Sequence, residues 1–146
     1  MAVKKTDNEI ETFDVQKFFS RKNEREGVWF EPEVMGSPCG IKFLMLGLDS
    51  DEAVKASEIF RKESEEADLI EDAIEKKNRY EEILAKRIAA VTIDIKSAND
   101  KKLTIGGKAL TKDDIYDVIY NSPVIAVKLM DFHRGQESFL GIKKNN

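Results

Sequence analysis

The residues able to do chemistry in this chain are few and scattered. His133 is the single histidine. One imidazole leaves at most one histidine general base and excludes a pair of histidines sharing a site. Flanked by Asp131 and Arg134 near the end of a predicted helix, it suits a surface or helix-terminal position, where a cation meets exposed carbonyls. Catalysis is not assigned to it. Cys39 is also alone, so neither an intramolecular disulfide nor a multi-cysteine metal cage is available. Its loop, Gly36-Ser37-Pro38-Cys39-Gly40, supplies no base to lower the thiol pKa, and it reads as a plain loop cysteine. Gly106-Gly107-Lys108 superficially resembles a phosphate loop, but the full glycine spacing is missing and Ala109 stands where the hydroxyl is needed. Asp49, Asp51 and Glu52, or Asp94 with Asn99 and Asp100, have oxygen ligands for a hard cation without the twelve-residue loop pattern. Helix capping and loop solvation account for them. The expectation is therefore a chain with no catalytic, cofactor or metal residues.

Composition is consistent with that expectation. At 146 residues the chain suits one domain large enough to bury a core unaided. Apolar residues make up 41%, which argues against wholesale disorder, and charged residues 36%, which implies well-solvated helix faces. The net charge of −4 comes from interspersed opposite charges, a surface that repels a phosphate backbone, so no nucleic acid partner is expected. The N-terminal lysines are followed by Asp7, Glu9 and Glu11 rather than an apolar run, which argues against secretion. No apolar stretch nears the roughly 20 residues that cross a bilayer, so no membrane partner is expected either, and a reducing cytoplasm fits the lone cysteine.

Positioning falls to elements legible as follows. Residues 1–26 form a flexible N-terminal segment: a polar, disordered start to about Asn8, then a short amphipathic helix or docking segment at Phe13, Val15, Phe18 and Phe19, and a charged linker from Lys17 to Glu26. Residues 27–140 form one α+β domain, predominantly helical, opened by a short antiparallel hairpin. Its strands are Gly27-Val28-Trp29-Phe30-Glu31-Pro32 and Ile41 to Leu46, joined through a longer loop. Trp29, Phe30, Phe43 and Leu129 are expected in the core. From Leu48 to Ile105 there is neither Gly nor Pro, so this tract should be mostly helix. Asp49 with Glu52 offers a capping box at its start. Ala53, Ala56, Phe60, Ala67, Ile70 and Ile74, then Leu84, Ile88 and Val91, follow three- and four-residue spacings as one apolar stripe. The stripe thins at Glu63-Glu66 and Lys76-Lys77, which implies a break between two helices or a segment leaving the core. Lys96 to Asp100 reads as a loop, and Leu103 to Leu110 as a tiny hairpin about Gly106-Gly107. Thr111 with Asp114 makes a second capping box for a helix through Ile115, Val118 and Ile119. Ser122 as N-cap and Pro123 as first residue then open a helix through Leu129 and Phe132 toward Gly135. Residues 141–146 are a disordered tail.

In the C-terminal third, Leu110-Thr111, Ile115-Tyr116, Ser122-Pro123-Val124-Ile125 and Phe132 through Phe139-Leu140 resemble the tail assembly chaperones of long-tailed, siphovirus-like bacteriophages. Upstream, Gly27-Val28-Trp29-Phe30, Ile41-Lys42-Phe43-Leu44, Gly47-Leu48-Asp49-Ser50 and the stretch from Leu84-Ala85 to Val91 are similar in order and spacing. The likeness spans about Gly27 to Leu140. It implies a non-enzymatic assembly factor of virion morphogenesis, made in the host cytoplasm and absent from the mature virion. Such a factor binds the helical tape measure protein and helps recruit subunits of the major tail tube protein. It also implies a frameshifted longer form of the chain as a partner, with which the Lys143-Lys144-Asn145-Asn146 ending is compatible, and a homo-oligomer. The face expected to bind partners lies on the Gly/Pro-free tract: Phe60, Glu65, Glu66, Ile70, Ile74, Leu84 and Ile88. Its acidic run, Glu63 to Asp72, followed by Lys76, Lys77 and Arg79, is either a solvated helix face or a dock for another helix. The alternative is a structural head-tail joining or tail-completion protein of a phage particle. A small metal-assisted enzyme is a third class, opposed by the want of a coherent ligand set.

Overall fold

The computed structural model describes residues 10–141. The disorder expected for residues 1–8, and for the tail after Gly141, falls outside the described residues. Within them the chain is an α+β fold, mostly helical. Strand β1 (Val28–Phe30) pairs antiparallel with β4 (Ile41–Met45), Val28 opposite Met45 and Phe30 opposite Phe43. The expected long loop between them carries its own two-rung ladder, β2 (Glu33–Val34) against β3 (Ser37–Pro38). It turns at Met35 and Gly36, both with positive φ, the geometry of a tight twisted hairpin turn.

A third strand is a correction to the sequence reading. The helical tract stops at Val91, and Thr92–Ser97 forms β5 on the other side of β4, with Phe43 opposite Ile95 and Lys42 opposite Lys96. Lys96 and Ser97, read as loop, are its last residues. The sheet order is β1-β4-β5. The β-branched residues Thr92, Ile93 and Ile95 favour a pleated strand once a neighbour is available, and a strand needs neither Gly nor Pro to begin.

The rest of the tract is two antiparallel helices, α2 (Asp51–Asp68) and α3 (Ala73–Ala90), joined by four residues. The break falls between the two thin places in the stripe. It is marked by Asp72, whose carboxylate accepts from Ile74 N at 3.2 Å and caps α3. At the start of α2 the cap is Ser50, not Asp49. Ser50 Oγ accepts from Ala53 N at 3.1 Å and donates to Gly47 O at 2.8 Å. Asp49 is instead held by Arg21 at 2.9 Å and Arg25 at 3.1 Å.

Those arginines belong to α1 (Arg21–Glu26), so the expected charged linker is in part a folded helix. Asn23 Nδ2 donates to Phe139 O at 2.8 Å, and the Glu24 side chain is buried. Gly47 N donates to Glu24 O at 2.8 Å, and an added Cβ at Gly47 would collide with the Glu24 side chain. That close approach explains the glycine.

Downstream, β6 (Thr104–Ile105) and β7 (Lys108–Ala109) form the small hairpin about Gly106-Gly107. The Thr111–Asp114 capping box is present and opens a 3-10 turn that runs into α4 (Ile115–Tyr120). Pro123 is the first residue of α5 (Pro123–Arg134), which ends at Gly135. Ser122 occupies the N-cap position without a capping hydrogen bond from its side chain.

The core lies where β4, the C-terminal half of α3, α4 and α5 meet. Phe43, Met45, Leu46, Ile88, Ile119 and Leu129 are its largest buried members. Phe30 packs at its margin, stacked on Phe132 at 4.2 Å between ring centroids. Trp29 departs from the core expectation. Period-two alternation turns it to the opposite face from Phe30, where it is half-buried beneath Lys96 Nζ, 4.0 Å from the ring centroid.

Candidate partner-binding surface

Ion pairs and a hydrogen bond tie α2 to α3. Glu63 on α2 is reached by two side chains of α3, Lys86 at 2.6 Å and Arg79 at 3.3 Å. Arg79 also holds Glu82, and the Tyr80 hydroxyl donates to Ser64 O at 3.5 Å. Charged pairs within each helix, Arg61–Glu65 and Lys77–Glu81, are solvent-exposed and add little on their own. The cross-helix cluster around Glu63 differs because one half-buried carboxylate fixes two cations and so the register of the helices.

The residues expected to form one partner face fall in four places. Glu65, Glu66, Ile70 and Ile74 lie at or near the tip of the hairpin. Ile74 is 71% exposed, and Leu69, which the three- and four-residue spacing missed, is 82% exposed. Phe60 sits in the seam between α2 and α3, with the Arg87 guanidinium 4.6 Å from its ring centroid. Leu84 faces a different hollow, of about 140 Å³, built with Tyr120, Pro123 and Val127 over a floor of Ala85 and Ala126. Ile88 is 1% exposed and belongs to the core, so it takes no part in a surface. The stripe mixed these because a helix packed on two sides has apolar residues over a wide arc, and spacing alone does not say which neighbour each meets.

Comparison with protein-family models, curated proteins and solved structures gives no match.

Groups of chemical interest elsewhere have structural partners. Cys39 Sγ lies 3.5 Å from Ile41 O. Asp94 accepts from Ile95 N, and Asn99 Oδ1 accepts from Ser97 Oγ, so both are engaged locally. Among the described residues no group of three or more His, Cys, Asp and Glu side chains is placed to hold a metal ion. No helix among them is long and apolar enough to cross a membrane.

His133 lies in the last turn of α5, the helix-terminal position expected of it, but it is not at the surface. It is 2% exposed, with Nδ1 2.7 Å from Leu46 O, a contact that makes Nδ1 the protonated nitrogen of the neutral ring. Burial is the leading cause holding its pKa below the ordinary 6.5. The Leu46 carbonyl opposes that shift, Arg87 and Arg134 add to it, and Glu24 opposes it. The spacing Leu129, Met130, His133 would have placed it on the buried face of α5, but its polar neighbours in sequence outweighed that signal.

Proposed function

We propose that this chain is a non-enzymatic tail assembly chaperone of a long-tailed phage, which binds the helical tape measure protein through the tip of the α2–α3 hairpin and helps recruit tail tube subunits. The observation that carries this reading is the pair Leu69 and Ile74. They stand exposed at the turn of an internally ion-paired hairpin, with the exposed Glu65, Glu66, Asp68, Glu71 and Asp72 as their neighbours in sequence. An apolar point with an acidic rim complements an amphipathic helix whose apolar stripe is flanked by Lys and Arg. The cross-helix ion pairs hold the tip in shape before a partner arrives, so less ordering entropy is lost on binding.

Two side chains and their rim cover far less than the roughly 1,200 Å² of a standard stable interface. A single contact would be weak and reversible, which suits a factor that must leave when tube subunits arrive. Many copies along one long helix would supply the total affinity by multivalency.

Co-expression with the tape measure protein, followed by pull-down, tests the reading. The tape measure protein should stay soluble and co-purify with this chain, and Leu69→Ser with Ile74→Ser should abolish both effects while leaving the circular dichroism spectrum unchanged. A tape measure protein that is equally soluble and unbound with and without this chain would remove the reading. Detection of the chain in purified mature virions by mass spectrometry would favour a structural particle component instead.

A further inference from the structure

The seam between α2 and α3 opens on the surface as a hollow of about 90 Å³, lined by Ala56, Ile59, Phe60, Ile83, Arg87 and Ala90 together with the mutually paired Glu63 and Lys86. Arg87 also borders a neighbouring depression with Leu48 and Val54, both exposed. The other cations of this surface are matched: Lys86 pairs with Glu63 and Arg61 with Glu65. Arg87 is half-buried over the Phe60 ring, and no carboxylate lies within ion-pair distance of it among the described residues. A partly desolvated cation between apolar walls favours an incoming carboxylate carried among apolar groups.

Such a sequence is present in the chain. Between Ile10 and Phe19 there are two carboxylates, Glu11 and Asp14, and one lysine, and Asp14 Oδ1 accepts from Gln16 N at 2.9 Å. Ile10, Phe13, Val15, Phe18 and Phe19 are each more than half exposed. Phe13 and Phe18 stack on one another at 5.9 Å with Lys17 over Phe13, contacts that are entirely local. The regular structure there is one 3-10 turn at Val15–Phe18, too short to be stable in water on its own. Five large apolar side chains exposed within ten residues form a patch of the kind that marks an association site. Among the described residues nothing covers these side chains, so a second molecule that packed on them would remove them from water.

We propose that residues 10–19 of one copy dock into the α2–α3 hollow of a second copy, aromatic side chains against Ile59, Phe60 and Ile83 and a carboxylate toward Arg87. The hollow and the segment are complementary in both apolar character and charge. This inference is independent of the chaperone reading, because it concerns only copies of this chain.

Sedimentation equilibrium of the full chain tests it. Wild type should associate reversibly, and Arg87→Glu or the pair Phe18→Ser and Phe19→Ser should each weaken association by at least about ten-fold. Circular dichroism should show all of them folded. Mixing the two variants leaves one intact segment–hollow junction per pair, so the mixture should associate more tightly than either variant alone. In a Cys39→Ser background, Phe19→Cys on one chain and Ile59→Cys on another should form an interchain disulfide on mild oxidation. A wild type that stays monomeric to its solubility limit, association indifferent to both variants, or a disulfide formed only when both cysteines share one chain would each overturn the proposal.

Discussion

Acidification from about pH 8 to about pH 5 should expose the cost of protonating the buried His133. The neutral ring donates from Nδ1 to Leu46 O and carries no charge into the core. The protonated ring keeps that bond but brings a charge to a site with little water, near Arg87 and Arg134 and only partly offset by Glu24. Its folded pKa therefore lies below the ordinary 6.5, and between the two values the unfolded chain binds a proton that the folded chain refuses. Stability contributed by the neutral ring is complete above pH 6.5, falls as the pH drops through 6.5, and levels off below the folded value. One proton limits the slope to about 1.4 kcal/mol per pH unit. That is a noticeable fraction of a total near 5–15 kcal/mol. Urea unfolding at several pH values measures it, with His133→Asn as the comparison. Asparagine places an N–H near the position of Nδ1 but does not titrate, so its loss of ring packing lowers stability by a constant amount at all pH values. The wild-type curve should fall between pH 6.5 and about 5 while the His133→Asn curve stays level. Parallel curves would show that His133 is not the group responsible and would remove the argument from its burial.

Three further outcomes follow from the same contacts. Ser50→Ala should lower stability by about 1 kcal/mol or somewhat more, because it removes both a buried cap to Ala53 N and the bond to Gly47 O, whereas Ser122→Ala should stay within about 0.5 kcal/mol; thermal melts of the two variants check the ranking. Phe43→Ala, in the fully buried centre of the sheet, should cost about 3–5 kcal/mol, while Trp29→Ala should cost clearly less because Trp29 is only half-buried and lies outside the core cluster, a difference readable from urea midpoints. Reversing Glu65 and Glu66 to lysine should change stability by no more than about 0.5 kcal/mol, since both are exposed, yet weaken capture of the tape measure protein in the co-expression assay.

Local signals in the sequence were sufficient where they were self-contained. The Thr111–Asp114 capping box, the Gly106-Gly107 turn, the Pro123 helix start and the β1–β4 pairing each depend on a few neighbouring residues, and all are present. Strand β5 was hidden because its partner, β4, lies about fifty residues earlier, and only that pairing makes Thr92–Ser97 a strand rather than the end of a helix. Asp49 and Ser50 compete for one cap. The choice of Ser50 follows from Arg21 and Arg25 on α1, an element the charge-rich sequence disguised as a linker. His133 and Glu24 were misplaced for the same reason. Polar residues read as surface until tertiary neighbours show that they are buried.

The candidate surface was legible as a region and not as a set of residues. Spacing assigned Ile88 and Ile74 to one face, although one is in the core and the other almost bare. The difference lies in what each end of the hairpin meets. Near its base, α3 packs against α4, α5 and β5, and its apolar residues vanish into the core. Toward the tip, α2 and α3 chiefly have each other, joined by Glu63 with Arg79 and Lys86. Apolar side chains there add nothing to the common core, and leaving Leu69 and Ile74 in water forgoes burial worth about 1.5–3 kcal/mol each. A fold gains no stability from that arrangement, whereas the proposed function, gripping and releasing an apolar helix stripe, would gain from it. The hairpin tip is for that reason the place to look for the partner, and the base the place that keeps the hairpin upright.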